Sequence, residues 1–150
     1  MLRSNVPHRQ PISLAATSGL SVRLSLPSLP VKLTPHAVGE WSSALTDCAK
    51  HLNGYNSGNR LEGTLPSSHY VGSCAGKSGR AAEWTQEWKD SIRRYIEVQL
   101  DVYEAKTQGW IFWNVKTEGS AGDWDLFQLL DAGVFPQPLW DRKFGKPCGF

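Results

Sequence analysis

The sequence predicts an α/β protein with a parallel sheet. Three stretches carry that expectation: a short run at 37–41 that passes from apolar to acidic, a long amphipathic pattern over about 84–106, and an aromatic, β-branched run at 109–115 with a further short helical pattern behind it. Strand and helix alternate along the chain, and that alternation is the grammar of an α/β fold. The chain has 150 residues, 40% apolar and 20% charged, which is one domain's worth of globular protein.

The elements follow in order. Ala37-Val38 opens a short strand that reaches Gly39-Glu40-Trp41. A helical stretch is expected from about Ser42 to Leu52, ended by Asn53-Gly54, both of which tolerate left-handed backbone. Residues 54–82 are rich in Gly, Ser and Asn and read as a long loop. Trp84, Trp88, Ile92, Tyr95, Ile96, Leu100 and Tyr103 then recur at three- and four-residue spacing, one apolar face of a helix over about 84–106. Glu87, Asp90, Arg94, Glu97 and Asp101 fall on the opposite face, with Asp90 and Arg94 spaced as a surface pair. Gly109-Trp110-Ile111-Phe112-Trp113-Asn114-Val115 reads as a buried strand. A second helix is expected over Trp124–Ala132, with Asp123 as N-cap and Gly133 as its stop. The tail, with Pro136, Pro138 and Pro147, should be irregular and packed. Two parallel strands alone leave unpaired edges that need neighbours.

The N-terminal stretch differs in kind. Residues 1–39 hold Arg3, Arg9, Arg23 and Lys32 and no acid, so all 14 Asp and Glu lie beyond them. Pro7, Pro11, Pro27, Pro30 and Pro35 break helices and remove backbone donors, so residues 1–36 read as a poorly structured leader distinct from 37–150. The acid-free, Arg- and Ser-containing composition is compatible with a transit peptide, the interrupted apolar run 12–26 makes a poor secretory signal, and an unrelated leader is the third reading.

Composition narrows the function classes. A net charge of +2 gives no strong pull toward nucleic acid, and no run of 18 apolar residues predicts a membrane span. His8, His36, His51 and His69 are scattered and no CxxC or HExxH pair occurs, so no metal site and no cofactor is expected. Gly76-Lys77-Ser78-Gly79 lacks the spacing of a phosphate-binding loop.

The candidate chemistry lies at the strand ends. In parallel α/β folds functional groups project from the C-terminal ends of strands. Glu40 would sit there, as would Trp113 and Asn114. A carboxylate can attack an anomeric carbon or protonate a leaving oxygen, and an indole face suits the C–H face of a pyranose. A Glu at a strand end also serves simply as an ion-pair partner. Trp84, Trp88 and Trp110 fit packing faces instead.

The run Val38–Lys50 (VGEWSSALTDCAK) resembles fungal exo-1,3-β-glucanases of glycoside hydrolase family 5. So do Arg94–Asp101 (RYIEVQLD), Gly109–Trp113 with Lys116-Thr117-Glu118, Gly133–Pro138 (GVFPQP) and the closing Cys148-Gly149-Phe150. The resemblance covers residues 37–150 and implies the last two βα units of a (β/α)8 barrel, a C-terminal part of a retaining enzyme acting on β-1,3-glucan. It implies Glu40 as the catalytic nucleophile and Trp113 as the aromatic platform under the sugar. The family's acid/base lies in an Asn-Glu-Pro motif, and no Asn-Glu-Pro occurs in this sequence. Glu62 and Glu118 match no family role. Where the family carries a second Trp, two residues after the platform, this chain has Val115.

The resemblance further implies a disulfide between Cys48 and Cys74, and leaves Cys148 unpaired, because its family partner lies upstream of the nucleophile strand. Three free thiols in a reducing cell is the alternative reading of the residues. The implied parent is a secreted or cell-wall enzyme, monomeric, with a β-1,3-glucan or oligosaccharide as its partner. Such a barrel needs about 250 residues, so the chain is expected to be inactive alone. A non-catalytic carbohydrate-binding remnant and a non-functional truncated product are the other two readings.

Overall fold

A computed structural model describes residues 35–118, 121–145 and 149. Most of the 1–36 leader, and Cys148 and Pro147, lie outside the described residues. The order is strand β1 (Ala37–Trp41), a 3-10 turn (Ala81–Glu83), helix α1 (Gln86–Lys106), strand β2 (Gly109–Phe112), a 3-10 turn (Gly122–Trp124) and helix α2 (Leu126–Asp131). β1 and β2 pair in parallel, joined by a connection that contains α1.

The long helix forms where its periodicity places it. Thr85 caps it, its side chain accepting the N–H of Trp88 at 3.2 Å. At the other end the Thr107 N–H and hydroxyl both donate to the Tyr103 carbonyl. Ile92, Ile96 and Leu100 are fully buried, and with Trp41, Trp84, Phe112, Leu129, Val134 and Phe135 they make the core. Trp41 is the hub of that core. Its indole meets Tyr103, Trp110 and Phe112 edge-on, with ring centroids 5.5, 5.3 and 5.0 Å away. Edge-to-face pairs of this kind add about 0.5–1.5 kcal/mol each beyond area burial.

The charged face of α1 is only partly a solvent face: Glu87 and Arg94 are exposed, and Glu97 and Asp101 are buried. Glu97 is wholly buried and accepts from Arg93 Nε and from the backbone N–H groups of Lys143 and Phe144 at 2.8 and 2.9 Å. Arg93 also donates to the carbonyls of Gly133 and Asp141. Asp101, also buried, pairs with Arg142 at 3.1 Å. The irregular segment after α2 runs over this side of the helix and puts Glu97 and Asp101 into buried ion pairs. Asp90 pairs with Lys143 at 2.6 Å, and Arg94 stacks over the Phe144 ring at 4.5 Å, rather than the two forming a simple surface pair.

Three further expectations are corrected. Residues 42–52 form no helix. Ser43 donates through its N–H and hydroxyl to the Asp123 carbonyl at 3.2 and 2.7 Å, and Asp47 takes the N–H groups of Arg60 and Leu61 at 2.6 and 3.2 Å. Ser and Asp side chains offer the backbone partners other than a helical ladder, and here those partners lie far along the chain. The second strand ends at Phe112, and it is not buried on both faces, since Ile111 is 60% exposed. The N-cap of α2 is Asp125, not Asp123. Its carboxylate accepts the Gln128 N–H at 3.0 Å, while Asp123 falls in the preceding 3-10 turn. That turn starts at Gly122, where a Cβ would lie 2.8 Å from the Gly79 carbonyl oxygen and the Ala81 nitrogen. Gly133 stops the helix region as expected, with φ +68°.

The loop between β1 and α1 is held from within. Cys48 and Cys74 form a disulfide, their Cα atoms 5.5 Å apart. Glu62 accepts the Cys74 N–H at 2.8 Å and the Asn59 amide at 3.1 Å.

Candidate active site

The strand register sets the candidate carboxylate. Ala37 faces Gly109 and Val38 faces Trp110, but the next pair is Trp41 with Phe112. Gly39 and Glu40 therefore oppose Ile111 alone, which is a bulge of one extra residue in β1. Side chains alternate along a regular strand, so Val38 and Glu40 would share a face. The bulge breaks that alternation. Val38 and Trp41 both turn to the core, and Gly39 and Glu40 both stay exposed. Bulges re-aim side chains in this way and recur beside active sites.

On β2 the alternation is regular. Trp110 and Phe112 pack on the core, Ile111 is exposed, and Trp113, one residue past the strand, is 47% exposed. Glu40, Ile111 and Trp113 thus belong to the sheet face that turns away from the core. Trp113 is fixed by its backbone: its N–H donates to the Trp41 carbonyl at 2.7 Å. Asn114 N–H donates to the Trp124 carbonyl, and the Asn114 carbonyl accepts from Leu126. The peptide bond between Trp113 and Asn114 is cis. Asp125 braces the same exit by accepting the Thr117 N–H at 2.8 Å and the Thr117 hydroxyl at 3.1 Å. Burial raises the Asp125 carboxyl, but the donors from Thr117 and Gln128 outweigh it and hold it below its ordinary value.

Sequence reasoning named Asp123 only as an N-cap and did not mark it as a buried carboxyl. It is 1% exposed, its Oδ1 has no hydrogen-bond partner, and burial pushes its carboxyl up to about 6. Nothing local marks its burial, and its backbone carbonyl is bonded by Ser43, 80 residues earlier. The remaining candidates separate cleanly. Glu62 is occupied within the loop. Glu118 lines an open depression with Arg80, Lys116 and Phe127, near the start of α2. Trp41, Trp84, Trp88 and Trp110 pack in or against the core and are not sugar platforms. Among the described residues no group of three or more His, Cys, Asp or Glu could hold a metal ion, and no helix is long and apolar enough to cross a membrane.

An exposed carboxylate and an open indole, both at the C-terminal ends of adjacent parallel strands, can between them attack an anomeric carbon and seat a pyranose ring. The chain is 50% identical over 112 residues to the glucan 1,3-beta-glucosidase of Yarrowia lipolytica, covering 75% of this chain and 26% of that enzyme. It is 50% identical over 115 residues to the glucan 1,3-beta-glucosidase of Schwanniomyces occidentalis (77% of this chain, 26% of that one). It is 50% identical over 117 residues to the probable glucan 1,3-beta-glucosidase A of Emericella nidulans (77% and 28%). No protein-family profile matches the chain. The chain resembles the C-terminal part of fungal glucan 1,3-beta-glucosidases, and it spans about a quarter of the length of these curated relatives.

Proposed function

We propose that this chain carries the nucleophile side of a retaining exo-1,3-β-glucosidase site of glycoside hydrolase family 5, and that its two strands correspond to the last two of a (β/α)8 barrel. Glu40 is the nucleophile and Trp113 the platform for the sugar. The observation that carries the reading is the placement of both residues on one open sheet face, Glu40 by the bulge and Trp113 by its bond to Trp41. The same reading places a parent of this chain outside the cell or in its wall, acting on β-1,3-glucan.

Retention of configuration takes two carboxyls about 5–5.5 Å apart. One attacks the anomeric carbon and forms a glycosyl–enzyme ester. The other protonates the departing oxygen and then deprotonates the incoming water. Glu40 supplies the first role. The second has no candidate, since Glu62 is committed to its loop, Glu118 lines a different depression, and no Asn-Glu-Pro is present. On this reading the chain does not turn glucan over by itself, and what it keeps is the Trp113 platform.

Intrinsic fluorescence of the 150-residue chain, titrated with laminari-oligosaccharides, tests the first half. Saturable binding that Trp113→Ala weakens about tenfold or more is expected. Binding unchanged by Trp113→Ala overturns the platform. Hydrolysis of an aryl β-glucoside tests the second half: no turnover is expected, and turnover abolished by Glu40→Gln overturns the inactivity.

A further inference from the structure

An asparagine side chain can react with the backbone nitrogen of the residue after it, and a glycine there leaves that nitrogen unshielded. Among the described residues Asn56 precedes Ser57, Asn59 precedes Arg60 and Asn114 precedes Val115, and only Asn53 precedes a glycine. Gly54 has φ +110°, a backbone that residues with side chains rarely adopt, so the turn itself demands the reactive pair.

The folded loop ties down both reacting groups. The Asn53 amide nitrogen donates to the Asp47 carboxylate at 2.8 Å and to the Gly58 carbonyl at 3.2 Å. Both partners are acceptors, which fixes the nitrogen toward them. The Gly54 N–H donates to the His51 carbonyl at 2.9 Å, and the Ser57 N–H to the Gly54 carbonyl at 3.1 Å. Attack needs the Gly54 nitrogen free of its proton and turned onto Asn53 Cγ, so the bond to His51 has to open first. Cys48, next to Asp47, closes the loop covalently through its bridge to Cys74, and a closed loop opens locally less often than a free one.

The product would meet Asp47. Burial raises the Asp47 carboxyl, but the Arg60 N–H, the Asn53 amide and the Leu61 N–H outweigh it and hold it below its ordinary value, so it is ionised at neutral pH. It accepts the Arg60 and Leu61 N–H groups at 2.6 and 3.2 Å. A carboxylate at 53 has no proton to give, and it would set two anions together where an amide now donates to a carboxylate.

We propose that Asn53 is a site of spontaneous deamidation, shielded while the Cys48–Cys74 loop is closed and released when the bridge is reduced, and that the product anion beside Asp47 keeps the loop from closing again. The Gly54 nitrogen gives its proton to solvent base and bonds to Asn53 Cγ. The Cγ–Nδ2 bond breaks, ammonia leaves with a proton taken back from solvent, and a cyclic imide remains. Water then opens the imide at either carbonyl and leaves aspartate or isoaspartate at 53. The site is independent of the roles proposed for Glu40 and Trp113.

The test holds the 150-residue chain in mildly alkaline buffer, with the bridge or as the Cys48→Ser, Cys74→Ser double variant, and follows each asparagine by peptide mass mapping. In the unbridged chain conversion at Asn53 is expected to outrun that at Asn56, Asn59 and Asn114, and to be about tenfold or more faster than in the bridged one. No lead for Asn53 overturns the site, and equal rates with and without the bridge overturn the shielding. Asp47→Ala, with the bridge kept, isolates the tether: a faster conversion at Asn53 is expected, and an unchanged rate overturns its part. Hydrogen exchange at the Arg60 and Leu61 amides reads the consequence. Protection there should fall in Asn53→Asp and fall less in Asn53→Ser, and equal protection in the two variants overturns the effect assigned to the product anion.

Discussion

Trp113 donates its backbone N–H to the carbonyl of Trp41 at 2.7 Å, so the residue after Glu40 and the residue after β2 are held by one bond. The two indoles do different work. Trp41 is buried at the centre of the aromatic core, and Trp113 is 47% exposed on the other side of the sheet. The candidate site is thus a by-product of packing, because whatever holds Trp41 also holds the strand end that bears Glu40.

Removing the Trp41 ring should show that dependence. Trp41→Ala is expected to destabilise the chain by about 3–5 kcal/mol, since it empties the space shared by Tyr103, Trp110 and Phe112. Urea unfolding followed by far-UV circular dichroism would measure it. A loss below 1 kcal/mol would contradict the hub role.

The Glu97 carboxylate should be as costly to lose as a core ring. Glu97→Ala leaves Arg93 buried without its partner and frees the N–H groups of Lys143 and Phe144. A loss of about 3–5 kcal/mol is expected from such a broken buried pair. Hydrogen exchange should show protection falling first over 133–145.

Asp123 and Asp125 should respond to pH in opposite senses. The folded-state value of Asp123 is raised to about 6 from 3.8. Ionisation therefore disfavours the folded chain, and the penalty grows as pH rises from about 4 to about 6 and is constant above. Its full size is roughly 3 kcal/mol. Asp123→Asn should be the more stable protein at pH 7, and the advantage should vanish below pH 4. Asp125 is lowered, so its contribution is present above its ordinary value of 3.8 and is lost as pH falls through the folded value. Asp125→Ala should cost about 1–2 kcal/mol at neutral pH through the lost cap, and less in acid. Thermal melts of both variants from pH 3 to pH 8 would reveal crossed profiles, and parallel profiles would contradict the assignment.

Reducing the Cys48–Cys74 bridge should destabilise the chain by roughly 3 kcal/mol, given the 26-residue separation it closes. Thiol titration of the non-reduced protein checks the bridge itself, and the unfolding midpoint with and without reductant checks the magnitude.

Much of this was legible in the sequence, for physical reasons that can be named. The helix α1 shows because Ile92, Ile96 and Leu100 repeat with the helical period and nothing competes with it. The parallel pairing shows because strand and helix alternate. The burial of Glu97 does not show, because its partners at Lys143 and Phe144 lie 46 and 47 residues away and a charged stripe looks the same whether solvent or chain covers it. The stretch after Trp41 has helical apolar spacing in Leu45, Cys48, Ala49 and Leu52, but Ser43 and Asp47 bind distant backbone and overrule it. Glu40 and Trp113 were legible as candidates from their strand-end positions. The bulge that turns Glu40 outward was not, since register is a property of two strands and only one of them carries the extra residue.

That extra residue has a consequence for how this strand tolerates change. In a regular strand the identity of every second residue is dictated by the interior, so a reactive group must compete with packing for its position. Inserting one residue before Trp41 separates the two demands. Position 41 answers to the core, and position 40 answers to whatever lies in front of the sheet. Substitution at 40 should then be nearly invisible to folding, while deletion of either Gly39 or Glu40 should force a choice between the interior and the chemistry. A strand built this way can exchange the exposed side chain at 40 without rebuilding the protein around it.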